Sequence, residues 1–263
     1  MATNPTTKPQ AIVIVHGAWH SPSHYSDFTA ALRKRGHEVH VPRLLTMNGV
    51  RPPNAHLEDD SDLIHTYVES LVEAGREVIV LMHSYGGQVG TNALTGLSTT
   101  QREAQGLSGG VRQLIYIAAF AVTEGTSMID VVEAHGHGEY MPLAFDFAED
   151  KTTVSRDPKG LIVGPGRSDE EIEAYVAAFR PHNGGAWHEK VQRCAWREVP
   201  RVAYIQATLD MNVPLQYQKD LVEVMERETG RPVRTFEVET GHCPTFTKPE
   251  EVAAIVHELA VGN

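Results

Sequence analysis

The chain has 263 residues, 41% of them hydrophobic and 22% charged, enough for one sizeable core with a subordinate layer inserted into it. Against 23 basic residues stand 34 acidic ones, a formal charge of -11 that repels nucleic acid and anionic lipid and favours a small-molecule partner. Cys194 and Cys243, far apart in sequence, exclude a disulfide framework and offer no metal spacing, so a reducing, cytoplasmic setting is the default. Residues 1–10 are polar, with two prolines, and the apolar run after them stops at Val15, which reads as neither a signal peptide nor a membrane span.

In chain order, residues 11–15 form a buried strand, and residues 25–35 carry helical spacing that Gly36 stops. Residues 38–41 are a short strand ended by Pro42. After a proline-rich loop at 51–54, residues 56–74 place Leu57, Leu63, Ile64, Tyr67, Val68 and Leu71 on or near one helix face, closed by Gly75. Residues 77–82 are the central strand and 85–95 the helix behind it. Strands follow at 111–117, 201–207 and 232–238, with helices at 215–228 and 249–260. Six such runs joined mostly by helical crossovers describe an α/β fold: a mostly parallel six-stranded sheet covered on both faces, with active groups at the carboxyl ends of its strands. Between 121 and 199 the rhythm breaks into weakly amphipathic pieces, 128–135 and 169–179, separated by Gly and Pro. A structureless loop of that length is unusual, so 121–199 reads as a helical cap inserted within a single domain spanning 1–263.

The chemistry centres on Val78-Ile-Val-Leu-Met-His-Ser-Tyr-Gly-Gly87, an apolar strand running into a serine and then a helix-competent stretch. Such an elbow normally begins with Gly two residues before the serine; Met82 stands there instead. Asp210 and His242 follow in the order nucleophile, acid, histidine. Ser84 ends one strand, Asp210 lies just past another and His242 just past the last, so all three project from one sheet edge. A serine hydroxyl needs a neutral imidazole to take its proton and a carboxylate to fix that imidazole's tautomer. The loop Val15-His-Gly-Ala-Trp-His20 follows the first strand, where the amide of Ala18 is placed to join that of Tyr85 in stabilising an oxyanion.

On those residues the chain resembles the α/β-hydrolase superfamily and, more closely, is similar to the plant methylesterase and hydroxynitrile lyase family with its microbial esterase relatives. The motifs carrying the likeness run from His16-Gly-Ala-Trp-His20 through His83-Ser-Tyr-Gly-Gly87 and Ala118-Ala-Phe120 to Gly241-His-Cys-Pro-Thr-Phe-Thr-Lys-Pro249. The resemblance implies Ser84 as nucleophile, His242 as base, Asp210 as its acid, Ala18 and Tyr85 as oxyanion donors, a six-stranded core, no cofactor and frequent dimerisation. It also implies Trp19, His20, Tyr85, Phe120 and Cys243 as substrate contacts. Family members cleave small esters or, in the lyases, cyanohydrins. The lyases carry a lysine directly after the histidine, where this chain has Cys243, which disfavours cyanohydrin cleavage. Tyr85 is larger and more polar than the family's usual aliphatic residue, pointing its hydroxyl toward a substrate oxygen of phenolic or polyketide-like type. The expected activity is serine hydrolysis of a small carboxylic ester or lactone through an acyl-enzyme. The alternative, prompted by Tyr85 and Met82, is a lyase, decarboxylase or cyclase of secondary metabolism using the same site.

Blander roles compete for several residues. Asp210 is also a candidate cap for the helix that follows, with Asn212 as its rival. His257, within the terminal helix, is the alternative base to His242. His16 and His83 read as structural hydrogen-bonding groups, because a triad needs one base. His135-Gly-His137 lacks the spacing of a helix-face metal pair, and Gly164-Pro-Gly166 and 106–110 lack the pattern of a phosphate cradle. Met128, Tyr140, Met141, Phe145, Phe147, Phe179 and Trp187 belong to the cap core, with some of them lining a pocket above Ser84.

Overall fold

The computed structural model describes residues 10–262, so the N-terminal stretch read above as neither leader nor span lies, except for Gln10, outside the described residues. The strands are β1 (Ala11–Val15), β2 (Glu38–His40), β3 (Glu77–His83), β4 (Gly110–Ile117), β5 (Phe145–Phe147), β6 (Thr152–Ser155), β7 (His182–Asn183), β8 (Arg201–Ala207) and β9 (Arg234–Val238). The helices are α1 (Ser26–Lys34), α2 (Leu57–Glu73), α3 (Tyr85–Ala93), α4 (Thr99–Ala104), α5 (Met128–Ala134), α6 (Met141–Ala144), α7 (Asp169–Ala177), α8 (Leu215–Thr229), α9 (Pro244–Thr247) and α10 (Pro249–Val261).

Six strands form one parallel sheet in the order β2-β1-β3-β4-β8-β9. Side chains along a strand alternate between faces, and the two cores divide accordingly. Val13, Val15, Val78, Val80 and Met82 pack on one side with Ile64 and Val68 of α2, Val89 of α3 and Leu221 and Met225 of α8. Ile12, Ile14, Ile79, Leu81 and Ile115 pack on the other with Phe28 and Leu32 of α1 and Val252, Val256 and Leu259 of α10. Strands buried on both faces must read as continuous apolar runs, as β1 and β3 do. No described helix is long and apolar enough to cross a membrane.

The segment between β4 and β8 sits over the carboxyl edge but is not purely helical. It contains α5, α6 and α7 and also a small antiparallel sheet, β5-β6-β7, paired through Phe145 with Ser155 and Thr153 with His182. Strands of two to four residues leave too few alternations to stand out in the sequence.

Met82, the departure from the usual elbow, has a packing explanation. A Cβ placed on Gly90 of α3 would lie 2.3 Å from the Met82 sulfur, so the small residue absent from the strand is supplied by the helix. Both residues are buried, and the Met82 thioether lies directly beneath Gly90. Gly90→Ala is therefore expected to destabilise the native protein, since overpacking costs roughly 1–3 kcal/mol and outweighs the helix-propensity gain of about 1 kcal/mol. In a Met82→Ala background the same change should stabilise by about that gain. Urea unfolding of the four proteins checks the reversal of sign; an equal cost in both backgrounds would clear Met82 as the obstacle.

Candidate active site

A single residue separates β3 from α3. Ser84 holds φ 55° and ψ -124°, a conformation that costs a non-glycine residue on the order of 1–3 kcal/mol and persists only where its surroundings fix it. Here its amide donates to the Ile117 carbonyl at 3.4 Å, while its own carbonyl accepts from Gly87 at 2.9 Å and Phe120 at 3.2 Å. The turn lets α3 approach the loop after β1 so closely that a Cβ on Gly86 would stand 2.2 Å from the Val15 carbonyl oxygen. Only glycine fits there.

The strand ends bring the three expected residues together. Ser84 Oγ lies 2.8 Å from His242 Nε2, and His242 Nδ1 lies 2.7 Å from Asp210 Oδ2. Since Nδ1 must donate to the carboxylate, Nε2 is left to accept from the serine hydroxyl. The other oxygen of Asp210 accepts from the amides of Asn212 and Val213, both at 2.8 Å. Asp210 therefore fixes its own loop while bonding the histidine; it does not cap α8, whose N-cap position is Pro214 with no side-chain hydrogen bond. His257 is elsewhere, on α10 against His37 at 2.9 Å.

Above Ser84 is a small cavity bordered by Ala18, Trp19, Phe120, Met128, Val132, Met141, Phe145, Trp187 and Asn212. Trp19 is fixed there by its indole N–H, which donates to the Thr153 carbonyl at 3.0 Å, and by stacking on Phe145. Tyr85 opens α3, whose first-turn amides have no partner within the helix. Of the cap side chains named from sequence, Tyr140, Phe147 and Phe179 are not among those bordering this cavity; Val132 and Asn212, which carry no aromatic or sulfur signal, are.

Three expected substrate contacts are placed differently. The Tyr85 side chain is fully buried, and its hydroxyl donates to Asp60 at 3.0 Å rather than facing the cavity. Asp60 also accepts from the amides of Leu45 and Thr46 and from the Thr46 hydroxyl, so its carboxylate is fixed where it receives the tyrosine hydroxyl. His20 donates through Nδ1 to the Ala18 carbonyl at 2.6 Å and packs among His24, Tyr175 and Phe179, where it shapes the loop from behind. Cys243 is buried too, its sulfur donating to the Ile162 carbonyl at 3.2 Å and standing 3.5 Å from His20 Nε2. In all three cases the side chain is buried against other protein groups and is not among those bordering the cavity.

The six-stranded parallel sheet, the elbow at Ser84 and the inserted cap define the α/β-hydrolase class. The model of the alpha/beta hydrolase family matches residues 12–255, and the chain belongs to that family. It is 29% identical over 255 residues, 97% of this chain and 99% of the other, to a Phoma protein named "Probable hydrolase R7". A carbendazim hydrolyzing esterase from a Nocardioides species is 37% identical over 122 residues, covering 44% of this chain and 45% of that one. The fold is shared with a solved methylesterase from Arabidopsis, with a TM-score of 0.69 at 17% identity over 95% of this chain and 98% of that one.

Four buried imidazoles surround this edge, all held uncharged. Burial pulls His16 down to about 4 and His83 and His182 to about 3, and it holds His20 well below the ordinary value. Burial acts on Asp60 in the opposite sense, raising its carboxyl to about 6 despite four hydrogen bonds. Between the folded and unfolded histidine values the unfolded chain binds more protons, so these four groups cost stability as pH falls below 6.5; Asp60 binds its proton in the fold and partly offsets them. At pH 5, the imidazoles of His16, His83 and His182 less the Asp60 carboxyl leave about two protons taken up on unfolding, a slope of about 3 kcal/mol per pH unit, to which His20 adds in the same direction. Urea unfolding between pH 4.5 and 6.5, with potentiometric proton uptake, is expected to show that loss; a pH-independent stability would mean the four rings are not held neutral.

Proposed function

We propose that the protein is a serine hydrolase of small, uncharged carboxylic esters or lactones. The observation that carries this reading is the unbroken line Ser84–His242–Asp210, at 2.8 and 2.7 Å, beneath an apolar cavity. Ser84 attacks the carbonyl as His242 takes its proton, and the amides of Ala18 and Tyr85 receive the oxyanion. His242 then protonates the leaving alcohol, and water activated by the same ring releases the acid from Ser84. The nucleophile, the base, its carboxylate and the oxyanion donors of this cycle are all supplied by the chain, and water is the second reactant.

The lining of the cavity supports an uncharged substrate. Trp19, Phe120, Phe145 and Trp187 offer ring faces, Met128 and Met141 adaptable apolar contact, and Asn212 one amide; no charged side chain borders it among the described residues. An anionic substrate would lose its hydration without gaining a counter-ion. The ester-cleaving activity named for the Nocardioides relative supports the reaction type. Neither residue that prompted the lyase, decarboxylase or cyclase alternative favours it, since Tyr85 turns to Asp60 and Met82 packs on Gly90.

Ser84→Ala is expected to lower kcat on a p-nitrophenyl ester by at least about 10³-fold with folding intact, and Asp210→Asn by up to about 10⁴-fold through the wrong imidazole tautomer. A serine-directed phosphonate should label Ser84 by mass spectrometry; labelling elsewhere, or an active Ser84→Ala protein, would end the assignment. In the same assay p-nitrophenyl butyrate should exceed its terminally carboxylated analogue in kcat/KM by at least about 10²-fold. Mandelonitrile should release negligible cyanide, because Cys243 replaces the lyase lysine.

A further inference from the structure

His83, the residue before Ser84, takes no part in the cycle above, yet its hydrogen bonds run from one half of the site to the other. The Gly17 amide donates to the Tyr25 hydroxyl oxygen at 3.2 Å, that hydroxyl stands 2.7 Å from His83 Nδ1, and His83 Nε2 stands 2.7 Å from the backbone carbonyl of His242. Tyr25 and His83 are both buried. A carbonyl can only accept, so Nε2 carries the His83 proton; in the neutral ring Nδ1 is then bare and accepts from the Tyr25 hydroxyl. The tyrosine oxygen keeps a lone pair for the Gly17 amide. Each polar atom has one role, and the roles agree only when His83 is neutral, the state that burial and the neighbouring His242 both favour.

We infer that His83 and Tyr25 are positioning residues that lock the loop carrying the Ala18 amide to the backbone of the general base. The inference rests on the serine hydrolase reading. Ala18 follows Gly17 directly, so a shift of Gly17 displaces one of the two donors that must meet the oxyanion. At the other end, the bond to the His242 carbonyl fixes the stem of the ring that bridges Ser84 and Asp210. The rings of His83 and His242 lie 5.0 Å apart at 39°, so the imidazolium that forms on His242 during turnover faces an uncharged neighbour. A second proton on His83 would set a like charge there and deprive the Tyr25 hydroxyl of its acceptor. Contact is tight where the parts meet: a Cβ on Gly17 would stand 3.0 Å from Ser84 Cβ and 3.2 Å from His83 Nδ1.

The test measures kcat and KM separately for Tyr25→Phe, His83→Leu and His83→Gln, beside their unfolding midpoints. His83→Leu should lose kcat by about 10- to 100-fold with KM within about twofold, the signature of misplaced catalytic atoms around an unchanged cavity. His83→Gln restores an N–H that reaches the His242 carbonyl and should recover about half of that loss on a logarithmic scale. Tyr25→Phe removes one oxygen from the middle of the chain and should cost about tenfold in kcat; it remains informative if His83→Leu does not fold. In ¹⁵N-histidine NMR spectra of the native protein, His83 should be the neutral ring protonated on Nε2 across pH 5–8. Wild-type kcat in folded Tyr25→Phe and His83→Leu, or a His83 protonated on Nδ1, would overturn the positioning role while leaving the hydrolase intact. A native protein that neither turns over esters nor takes the phosphonate would overturn the hydrolase reading and this inference with it.

Discussion

The structure turns on how closely α3 is pressed against the carbonyls at the end of β1. A Cβ on Gly86 would meet the Val15 oxygen at 2.2 Å, and one on Gly87 would meet the Phe120 amide nitrogen at 2.8 Å, so the helix starts between two strand ends with no side chain to hold it off. That approach requires the sharp turn at Ser84, and the hydrogen bonds from Gly87 and Phe120 to the Ser84 carbonyl keep the turn in its sparsely populated conformation. Glycine at 90, farther along the same helix, then becomes necessary because Met82 lies beneath it. Position 82 is thus part of a packing pair in which the volume omitted on one side reappears on the other.

Such close packing leaves little room for water, and the polar groups at the strand ends satisfy one another instead. Leu44 donates to His16 Nε2 at 3.1 Å while His16 Nδ1 donates to the Gly17 carbonyl at 2.9 Å. His182 Nε2 meets the Thr46 hydroxyl at 3.1 Å, and that hydroxyl donates to Asp60. A neutral imidazole suits the place of His16 because it offers one donor and one acceptor, which bridges two backbone groups without burying a charge, whereas His182 is bonded through Nε2 alone. The cost is sensitivity to acid, since the unfolded chain protonates these rings and the native state cannot.

Much of the fold was legible because its signals are local. The buried runs of β1, β3 and β4, the stops at Gly36 and Gly75 and the order of Ser84, Asp210 and His242 each depend on a few neighbouring residues or on strand ends that a parallel sheet must align. The helix at Thr99–Ala104 was overlooked although Ser98 and Gln101 have the spacing of a capping box, and Ser98 Oγ does accept from the Gln101 amide at 3.2 Å. The directions of Tyr85, His20 and Cys243 carry no comparable signal. Tyr85 turns inward because the carboxylate of Asp60, on another helix, accepts its hydroxyl, and Cys243 because Ile162, in the cap, presents a carbonyl. These are pairings across 25 and 81 residues, set by the packing of whole elements, which a local reading of one chain does not reach.

The cap is tied to the same helix that follows Ser84. Gln88 of α3 donates through Nε2 to the carbonyls of Ala186 and Glu189, at 2.9 and 3.2 Å, and its oxygen accepts from the amide of Met128. One turn on, Asn92 Oδ1 accepts from the amides of Gln192 and Arg193 at 2.8 and 3.1 Å. Residues 88 and 92 share a helix face, so two amide side chains fix several cap backbone groups to one rigid element. Met128 and Trp187, which border the cavity, are held at or next to those anchors. The distance from the cavity wall to Ser84 is therefore set along a single helix rather than across a flexible joint, and Ser84 and the cavity above it keep their register through that one element.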